Sequence, residues 1–135
     1  MKIAFHGAAR TVTGSKHLLT LKNGKKILLD CGMFQGLGEK TEDLNEHFGF
    51  NPLKVNYMIL SHAHIDHCGL IPKLVAEGFE GQIFCTAPTM ELARILLMDS
   101  AKIQQQDTDY LNNKRKQKNE HLFFCFSLVD FRGSW

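Results

Sequence analysis

Residues 61–70, SHAHIDHCGL, constrain this chain more than any other stretch of its sequence. Three of the chain's seven histidines and one aspartate fall here in the pattern H-x-H-x-D-H, and Gly69 follows two residues later. The preceding run, NYMIL at residues 56–60, is short and apolar, which is typical of a buried strand. The pattern therefore predicts a polar cluster on a loop at the end of a buried strand.

The residue types in this cluster indicate a metal site. Imidazole nitrogens and carboxylate oxygens are good ligands for zinc and similar divalent ions. Residues two apart in an extended segment point the same way, so His62 and His64 are predicted to bind one metal together. Asp66 and His67 lie where the strand end turns into the next helix, and they are predicted to face a second metal. Two such metals can share a hydroxide and act on a phosphodiester or an acyl centre. A chance cluster of surface histidines is the alternative, which the short spacing disfavours.

The remainder of the sequence predicts an α/β fold. Two apolar runs, HLLTL and KKILLD, flank the dipeptide Asn23-Gly24, which predicts a β-hairpin. A long helix that begins near Pro88 has an apolar face at helical spacing and becomes strongly polar beyond residue 104. The other predicted elements are strands at residues 2–5, 56–60 and 82–86 and a helix over residues 69–78.

Composition narrows the class of protein. The chain has 135 residues and a net charge of +2, so it suits one small domain and has no global charge for a nucleic-acid or membrane partner. No stretch approaches a membrane span, and a cytoplasmic location is expected. The four cysteines form no C-x-x-C pair and are predicted to be packing residues, as is Cys68 beside the motif. The basic run NKRKQK at residues 113–118 can contact RNA phosphates, although a solvated helix face explains it equally well.

Three segments together resemble a known family. The H-x-H-x-D-H motif after a buried strand resembles the signature of the metallo-β-lactamase fold. GAARTVTGS at residues 7–15 resembles the N-terminal loop of its β-CASP branch, the RNA-processing nucleases. LLDCGMFQG at residues 28–36 resembles the first motif of that branch, in which the aspartate, here Asp30, lies beside the metal centre. The resemblance extends over residues 1–118, including the long helix.

The resemblance implies an α/β/β/α sandwich, two zinc ions and hydrolysis of RNA phosphodiester bonds by a zinc-activated hydroxide. It places His62 and His64 on the first metal and Asp66 and His67 on the second. Asp66 and Asp30 are then the carboxylates expected to take part in catalysis, with Asp30 orienting a ligand or the water. Without the resemblance, Asp30 is equally well explained as an ordinary aspartate in a turn. His and Asp ligands also suit manganese, so the metal stays open.

The chain departs from the family pattern after the motif. The family supplies a further histidine to each metal, an aspartate that bridges them, and an inserted domain that closes over RNA. His121 and Asp130 lie in sequence surroundings that match none of these family motifs. The phenylalanine-rich residues 119–135 differ in composition and pattern from residues 1–118. We therefore expect an incomplete N-terminal part of a metallo-β-lactamase domain at 1–118 and a divergent tail at 119–135. A natural, cloned or frameshifted fragment would explain the tail.

Three interpretations of the function follow. The first is a zinc-dependent ribonuclease or its N-terminal part, which residues 7–15 and 30–36 favour because small-molecule members usually lack these segments. The second is a hydrolase of a small thioester, lactam or phosphodiester on the same fold. The third is an inactive truncated product with an incomplete metal site. For the isolated chain we expect an exposed sheet face, weak metal binding and aggregation. A homodimer is one way to complete the site.

Overall fold

The computed structural model describes residues 1–38 and 40–116, and the predicted tail at 119–135 lies outside them. Three short strands come first in this part of the chain, and two further strands lie among the helices that follow, which agrees with the predicted α/β class. The strands are β1 (Lys2–Phe5), β2 (His17–Thr20), β3 (Lys26–Leu29), β4 (Tyr57–Ile59) and β5 (Gln82–Phe84). The helices are α1 (Lys40–Glu46), α2 (Ile65–Cys68), α3 (Ile71–Ala76) and α4 (Ala87–Lys116), with a 3-10 turn at Pro52–Lys54.

The first three strands form an antiparallel meander. β1 pairs with β2, and β2 pairs with β3 in a register that places Leu18 opposite Leu28. The β2–β3 turn contains Gly24 at a φ of 82°, a backbone conformation that glycine adopts without strain. The Gly24 amide donates to the Leu21 carbonyl at 3.0 Å. The hairpin predicted from the Asn23-Gly24 dipeptide is therefore confirmed.

The last three strands of the sheet run parallel. β4 lies between β3 and β5, and its register aligns Ile59 with Leu29 on one side and with Phe84 on the other. The carboxyl ends of these strands consequently meet at one edge of the sheet. Ligand sites in open α/β sheets form outside such carboxyl ends. The loops after β3 and β4, which begin at Asp30 and Leu60, therefore lie side by side.

One face of the sheet forms the hydrophobic core. Leu28 and Met58 on the central strands are fully buried, and they belong to one cluster with Leu74 of α3 and Leu97 of α4. Burial of a leucine or methionine side chain contributes about 1.5–3 kcal/mol. The core thus fixes the central strands and the helices that follow the motif as one unit, while α4 continues as a largely exposed helix of about 45 Å.

The opposite face of the sheet, here called the outer face, is much less covered. Phe5, Ile59 and Phe84 lie in one row across it, and they are 60%, 43% and 51% exposed. The expected exposed sheet face is therefore confirmed. The described part is an α/β structure with helices packed on one face of one sheet, half of the α/β/β/α arrangement that the sequence implies. No helix of residues 1–38 and 40–116 is long and apolar enough to cross a membrane.

Candidate metal centre

The H-x-H-x-D-H motif occupies the connection between β4 and α2. The Leu60 amide still donates to the Phe84 carbonyl of β5 at 2.9 Å, and the chain then leaves the sheet. His64 is the N-cap of α2, with an extended backbone at φ −81° and ψ 148°. Its carbonyl accepts the amides of His67 and Cys68, each at 2.9 Å. The first two histidines therefore lie on extended chain, and Asp66 and His67 lie in the first turns of a helix.

His62 and His64 form the first donor pair. Nε2 of His62 lies 3.1 Å from Nδ1 of His64, and the ring centroids are 4.7 Å apart. Two nitrogens bound to one tetrahedral zinc at about 2.0–2.1 Å would lie about 3.3 Å apart. The spacing of these two nitrogens is therefore close to the spacing that a shared metal requires.

Asp66 and His67 form the second donor pair. Oδ2 of Asp66 lies 3.6 Å from Nε2 of His67, so both atoms face the same space. The ring of His67 also lies 4.0 Å, centroid to centroid, from the ring of His62. The structure thus brings the four residues predicted as metal ligands together in one cluster.

Asp30 lies under the cluster. It is 7% exposed and has a φ of 57°, a left-handed conformation that aspartate tolerates better than most residues. Its Oδ1 accepts the Ser61 amide at 2.8 Å, and its Oδ2 accepts the Ser61 hydroxyl at 2.9 Å. Oδ2 also lies 2.8 Å from Nδ1 of His67 and 3.4 Å from the Ser15 hydroxyl. Asp30 therefore contacts one of the predicted ligands directly.

This network assigns the protons on two of the imidazole rings. A carboxylate only accepts, so Nδ1 of His67 carries the proton that it donates to Asp30. The Ser61 hydroxyl donates its single proton to Asp30, so it accepts from Nδ1 of His62 at 3.0 Å. Both rings then present an unprotonated Nε2 to the cluster. An unprotonated imidazole nitrogen is the form that binds a metal.

The backbone of the motif is connected to two distant segments. Addition of a Cβ at Gly32 would place it 1.6 Å from the Asp66 carbonyl oxygen, so the loop after β3 approaches the motif as closely as only glycine permits. Three amides from these segments donate to carbonyls of the motif. They are Cys31 to His67 at 2.8 Å, Met33 to Ile65 at 3.1 Å, and Ser15 to Asp66 at 2.9 Å.

Ser15, Gly32 and Ser61 contact the site and are not among the site residues predicted from the sequence. Ser61 adjoins the motif, and this position is the one signal that could have drawn attention to it. Ser15 and Gly32 are far from the motif in sequence, and only the fold brings them to it. Their roles depend on backbone contacts, which residue type alone does not reveal.

Two cysteines near the site are packing residues, as predicted. Cys31 and Cys68 are fully buried. Burial raises the pKa of the Cys68 thiol to about 11, and it raises the pKa of the Cys31 thiol well above its usual range. Both are therefore neutral, buried thiols at physiological pH, as packing residues are.

The donor chemistry of the cluster fits zinc, but the number of donors is small. Within residues 1–38 and 40–116, no group of three or more His, Cys, Asp or Glu side chains is arranged to hold a metal ion. Each pair supplies two donor atoms, whereas zinc sites with three or four protein ligands are the rule. His121 and Asp130, the other residues considered as ligands, lie outside the described residues.

Comparison with known proteins identifies related sequences. Residues 15–123 match the family described as Metallo-beta-lactamase superfamily. Ribonuclease TTHA0252 of Thermus thermophilus is 47% identical over 108 residues, which cover 78% of this chain and 24% of that protein. Transcription termination factor FttA of Methanocaldococcus jannaschii is 32% identical over 107 residues, covering 79% and 17%. Endoribonuclease YSH1 of Saccharomyces cerevisiae is 32% identical over 128 residues, covering 92% and 16%. The chain thus spans a quarter or less of the length of these relatives.

Proposed function

This chain belongs to the metallo-beta-lactamase superfamily, as its sequence predicted, and from that premise we propose that it is part of a metal-dependent hydrolase that cleaves RNA phosphodiester bonds. The observation that carries the proposal is the gathering of His62, His64, Asp66 and His67, with the unprotonated Nε2 atoms of His62 and His67 directed into one cluster. Residues 1–118 would form the N-terminal part of the catalytic domain.

The residues present can hold two zinc ions in part, with His62 and His64 on one and Asp66 and His67 on the other. Zinc bound there would supply Lewis-acid activation of water and of a phosphoryl oxygen. Asp30 holds the Nδ1 proton of His67, and Ser61 accepts the Nδ1 proton of His62. These contacts keep both rings in the tautomer and orientation that ligation requires. Asp30 therefore acts in this proposal by orienting a ligand, and Asp66 contacts the reaction centre as a ligand.

RNA as substrate is supported by the names of the relatives and by one surface feature. Two of the three relatives above are named as ribonucleases, and residues 7–15 and 28–36 resemble segments of the RNA-processing branch. The last turn of α4 carries Lys114, Arg115 and Lys116. Three consecutive basic residues can bind phosphates of a polynucleotide that extends beyond the reaction centre. No observation specifically favours a small-molecule substrate.

Completion of the metal site is a further part of the proposal. The four donors of the cluster leave each zinc short of protein ligands. The missing ligands would come from further sequence of a longer protein or from a second copy of this chain in a homodimer. These two sources predict different metal contents for the purified chain.

Metal content is the first test. We would measure zinc and manganese per chain by mass spectrometry after purification without chelators, together with the oligomeric state and an Asp66→Ala variant. Close to two metals per chain in a dimer, reduced in the variant, would support a site completed by a second copy. Well under one metal per monomer would support ligands from additional sequence. Metal that is bound equally by the Asp66→Ala chain would contradict the proposed ligand set.

Substrate class is the second test. The metal-loaded chain would be incubated with a labelled single-stranded RNA, a DNA of the same sequence, and a chromogenic lactam. Cleavage of RNA that is abolished by Asp66→Ala and by chelator is expected. Cleavage of the lactam without cleavage of RNA would contradict the ribonuclease proposal. If the chain binds metal poorly, the same assay is carried out with a protein that contains the missing ligands.

A further inference from the structure

Lys16 is a fully buried lysine beside the candidate metal centre. It directly precedes β2, and its side chain is 0% exposed. Its Nζ donates to the Gly32 carbonyl at 2.7 Å and lies 4.2 Å from the centroid of the Phe34 ring. No Asp or Glu of the described part of the chain forms an ion pair with it. A carbonyl and an aromatic ring are therefore the contacts that this ammonium makes.

A buried lysine of this kind is costly. Transfer of an ammonium from water into the protein interior carries a desolvation penalty, which an apolar side chain of similar size would avoid. Burial accordingly lowers the pKa of Lys16 to about 8. A methionine could fill the same volume, but it could not donate to the Gly32 carbonyl. The hydrogen bond to the Gly32 carbonyl is therefore the contact that a lysine makes at this position and an apolar residue cannot make.

The Gly32 carbonyl belongs to the loop that contacts the motif. The two residues that flank Gly32 donate their amides to carbonyls of the motif. Cys31 donates to His67, and Met33 donates to Ile65. The Gly32 amide itself donates to the Ser15 carbonyl at 2.9 Å. Lys16 therefore contacts the central residue of a three-residue segment whose outer residues donate to the Ile65 and His67 carbonyls, on either side of Asp66.

We propose that Lys16 is a positioning residue for the second donor pair: its ammonium holds the Gly32 carbonyl and thereby holds residues 31–33 against the backbone of residues 65–67, which carry that pair. This role rests on the proposed function, because Asp66 and His67 are proposed there to bind a metal. Lys16 itself contacts neither a ligand nor a substrate.

The test compares Lys16→Met, which keeps the volume, with Lys22→Met, which removes an exposed lysine as a control for net charge. The first readout is amide hydrogen exchange by NMR in the metal-free chain. The amides of Cys31, Met33 and Ser15 are expected to lose at least about tenfold in protection in Lys16→Met, whereas the Leu60 amide in the sheet is unchanged. The second readout is the affinity for Zn²⁺, expected to fall by about 10- to 100-fold.

Phe34→Leu is a second variant in case Lys16→Met does not fold. It keeps the ammonium and removes the ring above it, so a smaller loss of protection at the same three amides is expected. Unchanged protection at these amides in either folded variant would overturn the proposal. An equal loss at Leu60 would also overturn it, because Lys16 would then serve general stability. Zinc that is bound equally by the unmodified chain and by Asp66→Ala would contradict the proposed function, and the exchange data would still decide the role of Lys16.

Discussion

The two donor pairs of the candidate site are built in different ways. His62 and His64 lie on extended chain, and the nitrogens that face each other are brought together by the two-residue period of that chain. Asp66 and His67 lie on a short helix whose backbone contacts Ser15, Cys31 and Met33 of other segments, and His67 also contacts Asp30. The first pair therefore depends mainly on local conformation, and the second on tertiary contacts. Variants that disrupt the contacts of the second pair should affect it first.

Gly32→Ala should have the largest effect. The added Cβ would lie 1.6 Å from the Asp66 carbonyl oxygen. The loop at residues 31–33 and the motif cannot move apart without breaking the hydrogen bonds between them. We expect a loss of roughly 4 kcal/mol in the free energy of unfolding, measured by urea denaturation. Gly24→Ala is the control, because its Cβ meets nothing within 4 Å and its cost comes only from a φ of 82°. That variant should lose about 1–2 kcal/mol. Similar losses in both would contradict the close contact at Gly32.

The pH dependence of stability should reveal the buried Lys16. Its pKa of about 8 in the folded chain lies below its ordinary value of 10.5, so between these values the unfolded chain binds the additional proton. The contribution of Lys16 to stability is therefore fully present above pH 10.5 and is lost as the pH falls through 8. The unfolding free energy of the natural chain relative to Lys16→Met should rise by roughly 3 kcal/mol from pH 7 to 10.5. The other titrating groups are present in both chains, and the difference reports Lys16 together with its electrostatic effects on Cys31 and His6. A constant difference would show that Lys16 is not desolvated.

Asp30→Asn should act mainly on the second donor pair, because Asp30 contacts His67 directly and His62 through the Ser61 hydroxyl. Asparagine tolerates the left-handed backbone at this position, so the effect comes from the side chain. The amide nitrogen of asparagine only donates, so one of the two oxygens that accept from Ser61 and His67 is lost. This loss should cost about 2 kcal/mol and release the His67 tautomer. Nitrogen NMR of the imidazole rings should show Nδ1 of His67 losing its proton, and zinc affinity should fall about 10- to 100-fold. An unchanged His67 tautomer would contradict the assigned role of Asp30.

Ser61→Ala should have the smallest effect and should act on the first pair. The Ser61 hydroxyl connects Asp30 to Nδ1 of His62, while the Ser61 amide still donates to Asp30 in the variant. The variant loses two hydrogen bonds, one of them exposed, which should cost about 1 kcal/mol in total. The same NMR measurement should show mixed tautomers of His62 and an unchanged His67. A change at His67 instead would mean that the two pairs are not built independently.

Much of the fold could be predicted from local signals. The Asn23-Gly24 turn, the apolar run before the motif and Gly78 after α3 each act over a few residues, and the structure has the expected elements there. The long helix begins at Ala87, one residue before the predicted Pro88. These successes share a cause, because turn conformation and hydrophobic periodicity depend on residues close in sequence.

The sequence alone determined the superfamily, the four candidate ligands and the pairing of His62 with His64, because spacing and residue type carry that information. Only the tertiary structure decided what lies under the ligands. The contacts of Asp30, Ser15 and Lys16 cross 30 or more residues or reach a neighbouring loop. They arise because the carboxyl ends of the parallel strands β3 and β4 and the start of the antiparallel strand β2 meet at one edge of the sheet. Hydrogen bonds to backbone carbonyls leave no pattern in a sequence, since every residue has a carbonyl.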